Sequence, residues 1–420
     1  MKNYIFYIIL TCFVLECSGQ KDYQQVADKF QQFYNLEQSD SIFNLYAPVL
    51  KDQLSLEKNR AVITGLHVQF GDLRQLSLLK QDTGYAKYKA SFKDQTLTLV
   101  LALNNADLIE GLRFIPYTPD PPAGEKKKDS SNIYLKTPRG NIYGELDLPA
   151  GSKKFPVVLI IAGSGPTDRN GNQGTTIHTN VYKMIADSLN KKGIASVRYD
   201  KRGVGESTTA MGSESELSFE DGINDAAGFV KILKADRRFS KVIVLGHSEG
   251  SLVGMVAALR AQADGYISVA GAGERIDLVI EKQIKAQSPA LAAKTKILFD
   301  SLRNGYSVQP EADLLFLFRP SVQPYIKSWL KFDPQQEIKK LKMPVLIIQG
   351  TTDMQVSVED AKWLKAADPN AKLVLIEQMN HVLKQSGMDA NENSATYNNP
   401  TLALKSELVM SIENFVFSVQ

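Results

Sequence analysis

The stretch VIVLGHSEG at residues 242–250 places one serine between two glycines, directly after an apolar run. The apolar run predicts a buried strand, and the residues that follow, SLVGMVAALRA, predict a helix. The pattern Gly-x-Ser-x-Gly between a strand and a helix is typical of a strained turn that exposes a nucleophilic hydroxyl. Ser248 would then lie at the helix N-terminus, where the helix dipole favours negative charge. The alternative interpretation is a tight turn whose serine only caps the helix.

Strands and helices alternate around this turn from residue 132 to residue 420. Strands that are apolar throughout are typical of a parallel sheet that helices cover on both faces. The pattern therefore predicts an α/β fold with a doubly wound, mainly parallel sheet. Residues 275–341 interrupt the alternation with helical patterning, which predicts an inserted helical cap. Besides the strand before Ser248, the predicted strand segments are FPVVLIIAG (155–163), IASVRYD (194–200), GYISVAGAG (265–273), MPVLIIQGTTD (343–353) and AKLVLIEQMNH (371–381).

The chain before this region has a different pattern. Residues 20–117 begin with helical spacing and continue with strands that alternate with period two, for example in QTLTLVLAL at 95–103. This order predicts a smaller α+β domain with an antiparallel sheet. Residues 118–131 are rich in proline, glycine and charge, so we expect a linker there and a second domain over residues 132–420.

The N-terminus, MKNYIFYIILTCFVLECSGQ, carries a lysine and then an apolar run from Tyr4 to Leu15. That run is shorter than the roughly 20 residues that span a bilayer. We expect a signal peptide at residues 1–19 and an exported protein, either periplasmic or secreted. The alternative is a lipoprotein anchored through Cys17. Since Cys12 and Cys17 are the only cysteines, a chain cut after residue 19 has no disulfide, no thiolate metal site and no thiol nucleophile.

The composition argues against several classes of ligand. The net charge of +3 is too small for a nucleic-acid-binding protein. The segment GAGERI at 271–276 lacks the third glycine of a dinucleotide-binding turn. The segment DRNGNQG at 168–174 begins like a calcium loop, but Gln173 replaces the glycine and Thr179 the final acid. We therefore predict neither a cofactor nor a metal.

A serine nucleophile needs a base and an acid that orients the base. His381 follows the last predicted strand, and Asp353 follows the strand before it. The chain order Ser248, Asp353, His381 is the order found in α/β-hydrolase triads. Two alternative acids, Asp277 and Glu274, follow an earlier strand.

Acyl transfer also needs N–H donors for the oxyanion that forms when a nucleophile attacks a carbonyl. The residue after the nucleophile supplies one donor, which is the backbone N–H of Glu249. The other donor is expected from the loop after the first long apolar strand, AGSGPTDRNGNQG. Within that loop the N–H of Ser164 is the first candidate and that of Gly165 the second.

Taken together, these motifs resemble the α/β-hydrolase superfamily. The resemblance covers residues 132–420 and depends on AGSGPTDRNGN, RYDKRGVGES (198–207), GHSEG, QGTTD and MNH. Their combination is similar to a bacterial exported esterase branch, also described as serine aminopeptidase-like or dienelactone hydrolase-like, whose members often carry an extra N-terminal α+β domain. The resemblance implies an esterase-type activity that uses Ser248, Asp353 and His381.

The expected substrate is a carboxylic ester of a small or carbohydrate-linked acyl group. One alternative is a serine peptidase that uses the same three residues. It would need an acidic cluster for a free amino terminus, but the acids of the predicted cap are scattered (Glu281, Asp300, Glu311 and Asp313). The other alternative is a non-catalytic binding protein on a hydrolase fold.

Overall fold

The computed structural model describes residues 22–81, 85–93, 95–117, 132–151, 154–174 and 177–420. The chain divides into two compact units, Met1–Glu125 and Lys126–Gln420. The predicted signal peptide at 1–19, both cysteines and the predicted linker at 118–131 lie outside the described residues, so the signal peptide and the linker stay predictions. Within the described residues, no helix has the length and apolar character needed to cross a bilayer.

The first unit is an α+β fold with a four-stranded antiparallel sheet in the order β1-β2-β3-β4. Helix α1 begins after Asp22, whose side chain accepts a hydrogen bond from the N–H of Gln25. The apolar face of α1 packs on the sheet, because alternate β3 residues such as Leu99 and Leu101 point towards it. The elements are α1 (Tyr23–Asn35), α2 (Ser39–Asn44), α3 (Pro48–Gln53), α4 (Leu56–Phe70), β1 (Leu73–Gln81), β2 (Ala86–Phe92), β3 (Thr96–Leu103) and β4 (Ile109–Pro116).

The second unit contains an eight-stranded sheet, and its mainly parallel character confirms the predicted fold class. The strand order is β14-β13-β12-β11-β7-β10-β6-β5, and the antiparallel pairs are those of β6 with β10 and with β5. The short strands β8 and β9 form a separate pair. The strands are β5 (Asn132–Thr137), β6 (Gly140–Asp147), β7 (Phe155–Ile161), β8 (Asn172–Gln173), β9 (Ile177–His178), β10 (Ala195–Tyr199), β11 (Phe239–His247), β12 (Gly265–Val269), β13 (Val345–Gly350) and β14 (Lys372–Ile376).

Helices cover both faces of this sheet. Val157 and Leu159 of β7 belong to one apolar cluster, while Val158 and Ile160 belong to the cluster on the opposite face. Both sets are buried because successive side chains of a strand point to opposite faces, so β7 is apolar throughout. The covering helices are α5 (Val181–Asn190), α6 (Phe219–Ala235), α7 (Glu249–Ala261), α13 (Val358–Ala367) and α15 (Ser406–Ser418), whereas the short helix α14 (Ala390–Ala395) contributes no residue to either cluster.

Five helices fill the interval between β12 and β13, where the sequence predicts an inserted helical cap. They have an apolar cluster of their own, which includes Phe299, Leu302 and Phe318. Another part of the insertion packs on the main core, since Trp329 stacks on Phe219 of α6. The helices are α8 (Ile276–Gln287), α9 (Pro289–Arg303), α10 (Leu315–Phe318), α11 (Gln323–Trp329) and α12 (Pro334–Ile338).

Candidate active site

Ser248 lies on a sharp turn between β11 and α7, with φ 56° and ψ −122°. A positive φ is costly for a residue with a side chain, and such strain is typical of functional sites. The flanking glycines are required by packing. A Cβ on Gly246 would lie 2.1 Å from the carbonyl oxygen of Gly250, and a Cβ on Gly250 would lie 2.4 Å from that of Ile161. The hydroxyl of Ser248 makes no capping hydrogen bond, which argues against the alternative interpretation of a helix cap.

Three residues that are far apart in the chain meet at this turn. The Nε2 atom of His381 lies 3.1 Å from Oγ of Ser248, and its Nδ1 lies 2.8 Å from Oδ2 of Asp353. Since a carboxylate only accepts, the Nδ1–H donates to Asp353 and leaves Nε2 free to accept from the serine hydroxyl. This is the geometry by which a base and an orienting acid activate a nucleophile.

The carboxylate of Asp353 is held in its ionised form. Burial disfavours its charge, but the charge and hydrogen bond of His381, with bonds from the N–H groups of Val356 and Gln355, outweigh burial and lower its pKa. Gln349 of β13 donates a further bond to Oδ2 at 3.1 Å. A buried anion with several donors stays charged and keeps one orientation.

The structure places the two alternative acids away from the base. Asp277 forms ion pairs with Arg275 and Arg303, and Glu274 pairs with Lys282. Neither carboxylate contacts His381, whereas Asp353 does.

The loop after β7 reaches Ser248 through Gly163. A Cβ on Gly163 would lie 3.2 Å from Cβ of Ser248, so a larger residue here would fit only if one of the two segments shifted slightly. The next carbonyl, that of Ser164, accepts bonds from Oγ1 of Thr167 at 3.0 Å and Nε2 of Gln173 at 2.7 Å. Both predicted oxyanion donors, the N–H groups of Ser164 and Glu249, therefore belong to segments that adjoin Ser248. Gly165, the other candidate, follows in the same loop.

In the candidate calcium loop, the carboxylate of Asp168 accepts hydrogen bonds from backbone N–H groups of the same loop. Oδ1 of Asp168 accepts from the N–H of Asn170 at 2.8 Å and of Asn172 at 2.9 Å. Arg169 pairs with Asp200 and Glu206, which ties the loop to the residues after β10. In the part of the chain that is described, no three His, Cys, Asp or Glu side chains come together as a metal site.

A cavity of about 270 Å³ opens beside Ser248 and His381. Besides Ser248 and His381, its polar lining groups are two amides, two threonines, two tyrosines, a serine and a histidine, and no described lining residue is Asp, Glu, Lys or Arg. Nε2 of Gln355 donates to the hydroxyl of Tyr397 at 2.7 Å across this lining. These polar lining residues are Ser164, Thr167, Gln173, Thr179, Tyr182, His247, Gln355 and Tyr397. The cavity is thus small and is lined by apolar groups and by polar groups that include no Asp, Glu, Lys or Arg among the described residues.

Sequence reasoning assigned no role to His247, the residue before Ser248. Nε2–H of His247 donates to the carbonyl of His381 at 2.9 Å, so its Nδ1 accepts from the hydroxyl of Tyr182, also at 2.9 Å. The same Tyr182 oxygen accepts from the N–H of Gly163. Burial lowers the pKa of His247 to about 3 and keeps the ring neutral. A histidine at the end of an apolar strand was the signal for this burial.

Sequence reasoning also missed the partners of Glu249. Its carboxylate is buried and accepts from Nζ of Lys201 at 2.8 Å and from the hydroxyl of Tyr325 at 3.1 Å. Tyr325 belongs to α11 of the insertion. The three residues are distant in the chain, so no local pattern could reveal the contact.

Comparison with known proteins agrees with this architecture. The sequence model of the serine aminopeptidase S33 family matches residues 172–385, just over half of the chain, and this range contains Ser248, Asp353 and His381. Esterase EstD of Thermotoga maritima is 28% identical over 380 residues, which cover 86% of this chain and 88% of that protein.

Solved structures of esterases also match the chain. Est1E from Butyrivibrio proteoclasticus, with ferulic acid bound, is 18% identical and covers 68% of this chain and 98% of its own, with a TM-score of 0.46. A thermophilic esterase from Thermogutta terrifontis is 17% identical and covers 69% of this chain and 98% of its own, with a TM-score of 0.43. Since the family match spans just over half of the chain, we conclude that this protein belongs to the serine aminopeptidase S33 family of α/β-hydrolases.

Proposed function

We propose that this protein is a serine esterase that cleaves carboxylic esters with small or carbohydrate-linked acyl groups. The observation that carries the proposal is the hydrogen-bonded series from Ser248 through His381 to Asp353, with separations of 3.1 Å and 2.8 Å. A related esterase from Thermotoga maritima, similar over most of the chain, supports the reaction class.

In the proposed reaction, Nε2 of His381 takes the proton of Ser248 as Oγ attacks the ester carbonyl. The N–H groups of Ser164 and Glu249 stabilise the oxyanion of the tetrahedral intermediate. The intermediate collapses, the C–O bond to the alcohol breaks, and His381 gives its proton to the departing alkoxide. Water then attacks the acyl-enzyme with His381 as base, which releases the acid and restores the serine. Asp353 stabilises the imidazolium that forms in each half of the cycle.

The cavity supports a small acyl group. Its volume of about 270 Å³ is below the roughly 300–1,000 Å³ of pockets that hold drug-sized ligands. The uncharged amide and hydroxyl groups on its wall can bond to hydroxyls or carbonyls of a sugar-linked substrate, but offer no ionic partner.

The family name makes a peptidase the second candidate. An aminopeptidase needs a carboxylate to bind the substrate's free ammonium group. Glu249 is next to the nucleophile, but Lys201 already neutralises it and Tyr325 takes up another lone pair. Because the carboxylate of Glu249 is already paired, an ester is favoured as the substrate over a peptide with a free amino terminus.

A side-by-side assay separates the two reactions. Purified protein is given p-nitrophenyl esters of increasing acyl length and aminoacyl p-nitroanilides. We expect hydrolysis of acetate and butyrate esters, a decline for longer chains, and no release from the anilides. Preferred hydrolysis of an anilide would make the protein a peptidase. A fluorophosphonate probe that fails to label wild-type protein would support the non-catalytic alternative.

We also propose that the protein is exported, because residues 1–19 have the pattern of a signal peptide. Expression in a bacterial host and mass spectrometry of the mature chain should show Gln20 as the first residue. An acylated Cys17 at the N-terminus would instead identify a lipoprotein.

A further inference from the structure

Lys201 contacts both segments that carry the proposed oxyanion donors. It lies two residues after the end of β10, at the carboxyl edge of the sheet. Its Nζ donates to the carbonyl oxygen of Gly163 at 3.0 Å and to Oε1 of Glu249 at 2.8 Å. The first contact belongs to the loop after β7, and the second to the residue that follows Ser248.

The contact with Gly163 acts on the donor of Ser164 directly. The carbonyl of Gly163 and the N–H of Ser164 belong to one peptide unit, which is planar and rigid. A hydrogen bond that holds the oxygen therefore also sets the direction of the N–H. It polarises the unit as well, so that the N–H becomes a stronger donor.

The contact with Glu249 holds the residue that carries the second donor, and it neutralises the buried carboxylate of that residue. The side chain of Glu249 is only 4% exposed, and its backbone N–H is the other proposed donor. An unpaired buried carboxylate next to a developing oxyanion would oppose the reaction. The ammonium of Lys201 compensates this charge and ties the elbow to the loop after β7.

Other contacts hold the loop but do not join it to Glu249. The N–H of Gly163 donates to Tyr182, and the carbonyl of Ser164 accepts from Thr167 and Gln173. The hydroxyl of Tyr182 also joins the loop to the elbow, but it contacts the N–H of Gly163 and the ring of His247, whereas Nζ of Lys201 joins the carbonyl of Gly163 to Glu249 itself.

We propose that Lys201 is a positioning residue of the oxyanion hole, which sets the spacing and polarity of the N–H groups of Ser164 and Glu249. The proposal rests on the esterase function proposed above. Preorganised donors act mainly on the transition state, so Lys201 should affect turnover far more than substrate binding.

The test compares variants in p-nitrophenyl acetate hydrolysis and in binding of a trifluoromethyl ketone, which forms an oxyanion on the serine. Removal of a whole oxyanion donor costs about 10²–10³ in kcat. Because Lys201→Met misplaces the donors without removing them, we expect a smaller loss of roughly 10–100-fold, with KM changed by less than about threefold. The affinity for the ketone should fall in parallel with kcat/KM, and Lys201→Arg should recover part of both.

Two further variants separate the positioning effect of Lys201 from the effect of an unpaired Glu249 carboxylate and from a loss of folding. The double variant Lys201→Met/Glu249→Met has no unpaired buried carboxylate, so it should fold even where the single variant does not. It should still lose turnover, since Lys201 no longer joins the carbonyl of Gly163 to Glu249. The matched control is Tyr325→Phe, which removes a bond to the same carboxylate oxygen but leaves Lys201 in place, and it should stay within about threefold of wild type.

Two results would overturn the proposal. One is wild-type turnover in both Lys201→Met and the double variant. The other is a loss of turnover with unchanged affinity for the ketone. Either result would leave the esterase function intact, whereas a wild-type protein that hydrolyses no ester and binds no ketone would overturn both proposals.

Discussion

His247 should make the second unit less stable at acidic pH. His247 is 6% exposed, and burial lowers its pKa to about 3, whereas a histidine in the unfolded chain has a pKa of about 6.5. Between about pH 6.5 and pH 3, His247 binds a proton in the unfolded chain but not in the folded chain. The stabilisation is therefore complete above pH 6.5 and is lost as the pH falls towards 3.

The size of the effect follows from the two pKa values. One pKa unit is worth about 1.4 kcal/mol, so the 1.5 units between pH 6.5 and pH 5 correspond to roughly 2 kcal/mol. Since pH 5 lies well above the folded pKa of about 3, this value depends little on the folded pKa itself. In His247→Gln, which has no proton to gain, the drop in unfolding free energy between pH 7 and pH 5 should be smaller by about that amount.

The assay is urea unfolding followed by tryptophan fluorescence at pH 7, 6 and 5. Both tryptophans, Trp329 and Trp363, lie in the second unit, so their signal reports on the unit that contains His247. The control is Tyr182→Phe, which removes a hydrogen-bond partner of His247 but leaves the buried ring. It should keep the wild-type dependence on pH. Equal losses in wild type and His247→Gln would refute the buried neutral imidazole.

Three further predictions concern the chemistry. Ser248→Ala should lower kcat by about 10⁴–10⁶ with an unchanged unfolding midpoint, while Ser164→Ala, which keeps the backbone N–H, should remain active; activity in Ser248→Ala would move the nucleophile elsewhere. Asp353→Asn should lower kcat by roughly 10²–10⁴, because the imidazole of His381 loses its orienting acid. A larger loss in Asp277→Asn would show that Asp277, and not Asp353, is the orienting acid. A shortened chain that begins at residue 130 should fold and hydrolyse p-nitrophenyl acetate. If circular dichroism shows that it is folded but it hydrolyses no ester, residues 20–117 complete the site.

The local patterns of the sequence were sufficient for the fold class. Apolar runs such as VVLII at 157–161 predict buried parallel strands, because both faces of the strand are covered, and the structure confirms this. The Gly-x-Ser-x-Gly pattern predicts a strained elbow, and the positive φ of Ser248 agrees with it. These features depend on residues that are close in the chain, so a sequence shows them directly.

The choice among candidate acids depended on tertiary structure. Asp353, Asp277 and Glu274 each follow a strand, and their local patterns are equivalent. Only the folded chain shows that Asp353 reaches His381, while Asp277 is taken up by two arginines.

The sequence by itself determined the strand–helix alternation, the elbow and the chain order of Ser248, Asp353 and His381. The tertiary structure alone decided which side chains surround them. Lys201 reaches Glu249 because β10 lies beside β7 and β7 beside β11, and Tyr325 arrives from the insertion. Such contacts join residues 48 and 76 positions apart, and no periodicity in a sequence records the order in which strands are placed in a sheet.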